Sequence, residues 1–152
     1  MGNKADPAQT IYLVGCGKQK ASSRARAKDI YTSPFFRYKR QYAERFGDSW
    51  FIISAKHHLL HPDKMIEPYD EALNDAGVAT KKSWAAIVHK QLCQVINPND
   101  IIIILAGKDY FGHLLPLLGS YKVLLPLKGL KQGGQMQWLK SELSKEENHA
   151  RK

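Results

Sequence analysis

Four short apolar runs, alternating with longer segments of helical periodicity, constrain the fold of this chain most. The runs are "IYLVG" (11–15), "WFIIS" (50–54), "IIIIL" (101–105) and "YKVLL" (121–125). Three of them are apolar nearly throughout, which is typical of parallel strands covered on both faces. The alternation predicts an α/β fold, a three-layer open sheet of four parallel strands joined by right-handed crossovers.

The helical segments carry start and stop signals. Ser33 and Pro34 supply an N-cap and a first-turn proline for the segment "SPFFRYKRQYAERF". A second helix is expected from Thr80 to just before Asn97, and "QMQWLKSELSKE" predicts a helix after the fourth strand. Pro116 predicts that the helix after the third strand is short or kinked.

The length of 152 residues fits a single α/β domain, residues 1–152, with frayed ends over residues 1–10 and 144–152. No apolar run approaches the roughly 18 to 20 residues that a membrane span needs, so we expect a cytoplasmic protein. Cys16 and Cys93 lack CxxC spacing, which favours neither a disulfide framework nor a thiolate zinc site.

The net charge of +9 is concentrated in one segment. Between Lys18 and Arg45 lie nine basic residues against only Asp29 and Glu44, with tyrosines and phenylalanines interleaved. Cations follow a phosphate backbone and aromatic rings stack on bases, so this segment favours DNA as the partner over a merely solvated face. It indicates neither a membrane nor an obligate protein partner.

Ligands of open parallel sheets bind beyond the carboxyl ends of the strands. In this chain those ends carry glycines, lysines and polar groups, although each segment alone is also compatible with a plain turn. The residues expected to bind substrate there are Gly15, Cys16, Gly17, Lys18, Gln19, Lys20, Tyr31, Phe35, Ser54, Tyr69, Gly107, Lys108, Asp109, Lys128 and Lys131.

The densest group of titratable residues follows the second strand, in "SAKHHLLHPDKMIEPYD". Lys56 or His57 is the candidate donor to an anion or leaving group, and Glu67 or Asp70 is the candidate carboxylate. Sequence leaves open which carboxylate acts, and also whether both only pair with surface lysines. The histidines lack the HExxH pattern, so neither a metal nor another cofactor is expected.

With "LVGCGKQK" and "IYTSPFFRYKRQYAE", this segment resembles a widespread bacterial family of small uncharacterised domains. It is more distantly similar to the YaaA peroxide-stress DNA-binding proteins, which carry a comparable "GLLxPxxxIxPY" stretch. The resemblance covers Ile11 to Leu143 and implies DNA binding without implying a reaction.

The order of strands and loops is also similar to the uracil-DNA glycosylase superfamily. That resemblance implies a catalytic first loop, a third strand end that touches a flipped base, and a wedge on the last loop. The chain departs from the pattern, because residues 15–20 contain no acidic residue and Pro126, Leu127 and Lys128 replace the His-Pro-Ser motif. Phage-defence glycosylases of this general kind act on glucosylated hydroxymethylcytosine.

These observations favour a DNA glycosylase that flips a damaged or modified base and leaves an abasic site. The base would stack near Tyr31, Phe35 or Tyr69, and the carboxylate would stabilise an oxocarbenium-like transition state. Two alternatives stay open: a non-enzymatic DNA-binding stress protein, and an enzyme acting on free nucleosides or nucleotides.

Overall fold

The computed structural model describes residues 7–150, with side chains described as far as residue 145. Its strands are β1 (Thr10–Gly15), β2 (Ala25–Arg26), β3 (Ser49–Ser54), β4 (His58–Leu60), β5 (Met65–Ile66), β6 (Ile101–Leu105) and β7 (Lys122–Leu124). Its α-helices are α1 (Ala27–Ile30), α2 (Pro34–Phe46), α3 (Val78–Cys93), α4 (Lys108–Phe111) and α5 (Gln132–Ala150). Leu73–Asp75 and Leu115–Leu118 form single 3₁₀ turns.

The central sheet has five strands in the order β4-β3-β1-β6-β7. β3, β1, β6 and β7 are parallel, in the register Tyr12 opposite Trp50 and Ile103. The expected α/β fold with four parallel strands is therefore confirmed. β2 and β5 pair separately as a short antiparallel ribbon.

Both faces of the sheet are buried, which explains the unbroken apolar runs. Side chains alternate along β1, so Leu13 packs with α3 residues such as Val88 on one face, while Val14 packs with Phe36 and Leu139 on the other. Thus α3 covers one face and α2 and α5 cover the opposite one. Within residues 7–150, no helix combines the length and apolar character needed to cross a membrane.

The helix signals act as expected from the sequence. The Ser33 hydroxyl accepts a hydrogen bond from the Phe36 N–H at 3.1 Å, and Pro34 is the first residue of α2. The segment around Pro116 divides into α4 and a 3₁₀ turn, as the proline predicts. α3 begins at Val78, two residues before the expected start at Thr80.

The strand β4, like α1, β2 and β5, is not predicted by the sequence. Ser54 Oγ accepts the backbone N–H groups of Lys56 and His57, at 3.2 and 3.0 Å, and so reverses the chain after β3. His58 has a φ of 61°, and the chain then pairs antiparallel to β3. The segment 58–60 is therefore a hairpin strand in place of the expected irregular loop.

The first and last described residues belong to or adjoin regular elements. The Gln9 N–H donates to the Asp100 carboxylate at 3.0 Å, and β1 already begins at Thr10. α5 continues through residues 144–150, where a frayed tail was expected. Residues 1–6 and 151–152 of the two predicted frayed segments lie outside the described residues.

Candidate active site

Three adjoining clefts open along the carboxyl edge of the sheet. The acidic cleft, of about 450 Å³, is lined by Cys16, Gly17, Lys18, Lys20, Asp70, Glu71, Ala72, Asn74, Asp75 and Tyr110. The aromatic cleft, of about 520 Å³, is lined by Cys16, Gly17, Lys18, Gln19, Ser33, Pro34, Phe35, Phe36, Lys39, Gly107, Gln132 and Met136. The loop cleft, of about 590 Å³, is lined by Ala106, Gly107, Lys108, Phe111, Gly112, Leu115, Leu127, Lys128, Gly129, Leu130 and Gln135.

The segment Cys16–Gly17–Lys18 lies between the acidic and aromatic clefts and borders both. Gly107 likewise borders the aromatic and loop clefts. Each volume lies within the roughly 300 to 1,000 Å³ range of small-molecule sites. The predicted strand ends thus lie beside one another, where a ligand larger than one cleft can span them.

A chain of hydroxyl groups forms the floor beneath this edge. The Tyr69 hydroxyl is 2.6 Å from the Tyr31 hydroxyl and 2.7 Å from Ser54 Oγ. Trp84 Nε1 donates to the Ser54 carbonyl at 2.8 Å, which ties the end of β3 to α3. Burial raises the pKa of both tyrosines well above its usual range, so both stay neutral. This floor is rigid and carries no charge.

Lys20 lies above the floor. Its Nζ is 4.2 Å from the centroid of the Tyr69 ring, a cation–π distance, and 3.2 Å from the Lys18 carbonyl. Burial lowers the Lys20 pKa, while the nearby Cys16 and Asp70 act in the opposite direction. The acidic cleft is therefore lined by both an ammonium group and a carboxylate, those of Lys20 and Asp70.

Cys16 lies at the centre of the edge, immediately after β1. Its backbone N–H donates to the Ile53 carbonyl at 3.2 Å, and its Sγ lies 3.2 Å from the Tyr110 hydroxyl. Tyr110 stacks edge-on against Trp84, with ring centroids 5.4 Å apart. Burial raises the pKa of the Tyr110 hydroxyl, so this group is a neutral hydrogen-bonding partner at the mouth of the acidic cleft.

The four predicted catalytic residues do not form one cluster. Asp70 lines the acidic cleft. Glu67, three residues earlier, has a side chain that is 72% exposed and lies 3.9 Å from Arg24 in a loose surface ion pair. The surface-pairing alternative therefore describes Glu67, whereas Asp70, although also exposed, lines the acidic cleft.

His57 and Lys56 lie on the turn between β3 and β4. The His57 ring packs edge-on against Tyr69, with ring centroids 5.3 Å apart, and its buried Nε2 has no hydrogen-bond partner among the described residues. Burial, followed by the positive charge of Lys56, lowers the His57 pKa. Lys56 is exposed, with its Nζ 6.0 Å from the centroid of the Tyr69 ring. Neither residue lines the acidic cleft.

The predicted stacking residues differ in access. Tyr31 is only 2% exposed and belongs to the floor, so it does not offer a free ring face to a base. Phe35 lines the aromatic cleft and is the accessible ring of the predicted set. Tyr69 is half-buried, with Lys20 over its ring.

Of the remaining predicted binding residues, some line a cleft, while others have a packing or pairing role or lie on the surface. Gly15 is required by packing, since an added Cβ would lie 2.9 Å from the Ala106 Cβ. Asp109 is held by Lys81 at 2.8 Å. Gly107, Lys108 and Lys128 line the loop cleft, whereas Lys131 is exposed and does not line any of the three clefts.

The basic segment between Lys18 and Arg45 is less free to bind DNA than its composition suggests. Lys28 pairs with Asp63 at 2.9 Å, and Arg40 pairs with Asp29 at 2.8 Å. The basic side chains in this segment with carboxylate or carbonyl partners in the structure are Lys20, Arg24, Lys28, Lys39, Arg40 and Arg45. Much of the charge therefore stabilises the fold.

Sequence reasoning missed Tyr110, Glu71 and Lys39. Lys39 carried a readable signal, since it shares the apolar stripe of α2 with Phe36 and Ala43 at helical spacing. Tyr110 and Glu71 adjoin predicted residues, but only the tertiary fold brings them to Cys16 and Lys20. Among the described side chains, no group of three His, Cys, Asp or Glu residues is arranged to hold a metal ion.

Residues 11–141 match a protein family described as a family of unknown function (DUF6884). The chain belongs to this family. The matched region includes all the strands described above, apart from Thr10, the first residue of β1. It also includes every residue that lines the three clefts, the last of which is Met136.

The DUF6884 chain is also similar to a curated protein, "Uncharacterized protein YfjM" from Bacillus subtilis (strain 168). The two are 29% identical over 136 residues, which cover 83% of this chain and 89% of the relative. No solved structure gives a significant match.

Proposed function

We propose that the protein is a DNA glycosylase that hydrolyses the N-glycosidic bond of a modified or damaged base flipped out of DNA. The observation that carries the proposal is the acidic cleft, which is lined by both Asp70 and Lys20 together with Cys16 and Tyr110. A cleft of about 450 Å³ accommodates one flipped nucleoside.

The reaction needs a negative charge near C1′ and a proton for the departing base. Asp70 stabilises the oxocarbenium-like transition state and accepts a proton from the attacking water. Lys20 donates a hydrogen bond to the leaving base, whose negative charge develops as the bond to C1′ breaks. The water oxygen ends on C1′ and one of its protons on Asp70, while the departing base takes its proton from Lys20.

The flanking clefts supply binding. Phe35 offers a ring face for stacking a neighbouring base, while Lys18, Lys108 and Lys128 offer cations to backbone phosphates. Leu130 lines the loop cleft, lies between Lys128 and Lys131 in the sequence and is 40% exposed. An exposed apolar side chain at this place is suited to act as a wedge that fills the gap left by a flipped base.

The test compares Asp70→Asn with Glu67→Gln, a matched control that neutralises a carboxylate three residues away on the surface. Wild-type protein is incubated with plain, uracil-containing and phage-modified duplex DNA, and alkali then reveals abasic sites as strand breaks. Asp70→Asn is expected to lower cleavage by about 100-fold or more, the usual range for an acid–base group, and Glu67→Gln to leave it unchanged.

Two results would sink the enzymatic proposal: no alkali-labile site on any substrate that the protein binds, or equal cleavage by Asp70→Asn and wild type. Bound DNA without cleavage would instead favour the non-enzymatic DNA-binding alternative.

A second candidate is an enzyme acting on free nucleosides or nucleotides. The internal pairing of the basic segment favours it, because a small ligand needs the acidic cleft but not an extended cationic surface. Incubation with free modified nucleosides, followed by chromatographic separation of base and sugar, distinguishes the two. Release from free nucleosides at a rate equal to or above that from duplex DNA would support this second function.

A further inference from the structure

A buried amine lies in the wall of the aromatic cleft. Lys39 is 5% exposed, and its Nζ donates to the Gly15 carbonyl at 3.1 Å and lies 4.5 Å from the centroid of the Phe35 ring. The glycine carbonyl marks the end of β1, immediately before Cys16. The amine is thus held at the carboxyl edge, beside the loop that separates the two clefts.

This position is costly for an ordinary lysine. None of the ion pairs among the described residues includes Lys39, so no carboxylate offsets the loss of hydration. Burial lowers the Lys39 pKa from 10.5 to about 8, with the Cys16 thiol acting in the opposite direction. At pH 7 a lysine of that pKa is neutral in roughly 9% of molecules, against about 0.03% for an exposed one, a ratio of roughly 300.

A neutral amine at a ligand site is a nucleophile for carbonyl carbon. The hydrogen bond to the Gly15 carbonyl uses one N–H and leaves the nitrogen lone pair available when the amine is neutral. A purely structural side chain at this point in α2 would need only to fill the apolar stripe between Phe36 and Ala43. The retained amine therefore calls for a chemical role.

We propose that, after base removal in the acidic cleft, the abasic deoxyribose passes the shared Cys16–Lys18 segment into the aromatic cleft, where Lys39 forms a covalent imine with its C1′ aldehyde and so nicks the strand. This role rests on the proposed function, which supplies the aldehyde by removing the base. It makes the protein a glycosylase with an associated abasic-site lyase activity.

The step balances without an oxidant or reductant. The neutral Lys39 amine adds to C1′ of the open-chain sugar, and the adduct takes up a proton from water and loses a water molecule to give a protonated imine. The C2′ proton then passes to water, the C3′–O bond breaks, and the 3′ phosphate leaves with its electron pair. Water finally hydrolyses the imine and returns the free amine.

The test supplies the abasic site independently, so its outcome does not depend on base removal. A duplex with one abasic site is mixed with the full chain and sodium borohydride, which reduces the imine to a permanent amine linkage. Mass spectrometry of the digested adduct identifies the lysine. Modification is expected at Lys39, in excess of that at exposed Lys82 by up to roughly 300-fold, the ratio of neutral amine.

Variants provide a second readout. Lys39→Met is expected to abolish both strand nicking and borohydride trapping, the formation of the reduced covalent adduct with DNA. Lys82→Met, at an exposed position on α3, is expected to retain both. Because mapping uses the wild-type chain, the assignment can be tested even where Lys39→Met fails to fold. An adduct on another lysine, or no adduct with a duplex that the protein binds, would overturn the proposal.

The two proposals fail separately. Trapping at Lys39 without base removal from any substrate would refute the glycosylase alone. Alkali-labile sites without trapping on the preformed abasic duplex would refute the lyase alone.

Discussion

Replacing Lys39 by methionine is expected to change how protein stability depends on pH. Methionine keeps much of the length and volume of the side chain but has no charge. The folded-state pKa of Lys39, about 8, lies below the ordinary value of 10.5, so the unfolded chain binds more protons between these values. Wild-type stability therefore gains a contribution from this group as pH rises through the window.

The size of the effect follows from the two pKa values. Below pH 8 the buried ammonium destabilises the folded state by about 3 kcal/mol, since each pKa unit corresponds to about 1.4 kcal/mol. Between pH 7 and pH 9, about 1 kcal/mol of this penalty disappears from the wild type and nothing comparable changes in Lys39→Met. The difference in free energy of unfolding, variant minus wild type, is thus expected to fall by about 1 kcal/mol between pH 7 and pH 9.

Urea denaturation at pH 7, 8 and 9 measures this difference, with both proteins compared at each pH. Comparing variants cancels the titration of groups that both proteins share. Cys16 is the neighbouring group that acts against burial on the Lys39 pKa, so the series is repeated in a Cys16→Ser background. A relative stability that stays constant from pH 7 to pH 9, in both backgrounds, would refute the argument that Lys39 is desolvated.

Two further predictions concern the hydroxyl floor and the loop cleft. Tyr31→Phe removes the hydroxyl that contacts Tyr69, and we expect it to lower the free energy of unfolding, measured by heat or urea, by about 1 kcal/mol. The control Tyr38→Phe, at a half-buried ring, is expected to be nearly neutral. Equal losses of stability in the two variants would contradict a stabilising role of the Tyr31 hydroxyl. Gly129 has a φ of +87°, so Gly129→Ala is expected to lower the free energy of unfolding by about 1 kcal/mol. Gly129→Asn is expected to lower it less, because asparagine tolerates a left-handed backbone. An alanine variant as stable as wild type would contradict the idea that a side chain strains the backbone at this position.

The sequence was sufficient to predict the four parallel strands, because each is a β-branched or apolar run, and three of the four contain buried residues; only β7, at the edge of the sheet, does not. It was also sufficient for the start of α2, since Ser33 and Pro34 act locally. β4 was not predicted because its pairing depends on the turn that the Ser54 side chain stabilises. The strand itself, His58–Leu60, is too short to show a strand pattern in the sequence.

For the candidate site, the sequence indicated that the strand ends share one edge of the sheet but not how the side chains are arranged along it. Glu67 and Asp70 are equivalent in sequence, and only the path of the chain separates a surface ion pair from a cleft carboxylate. Tyr31 has the composition of a stacking residue, yet the fold buries it. The helical spacing of Lys39 with Phe36 and Ala43 is visible in the sequence, but only the fold shows that its amine reaches the Gly15 carbonyl.

The two outer strands of the sheet, β4 and β7, are each only three residues long. An edge of that length offers an incoming strand few free backbone groups, and Lys122 on β7 places a charge where such a strand would have to lie. The molecule is thereby protected against strand-to-strand stacking between copies. Substitutions that lengthen β7 or replace Lys122 by an apolar residue are for that reason the changes most apt to cause aggregation.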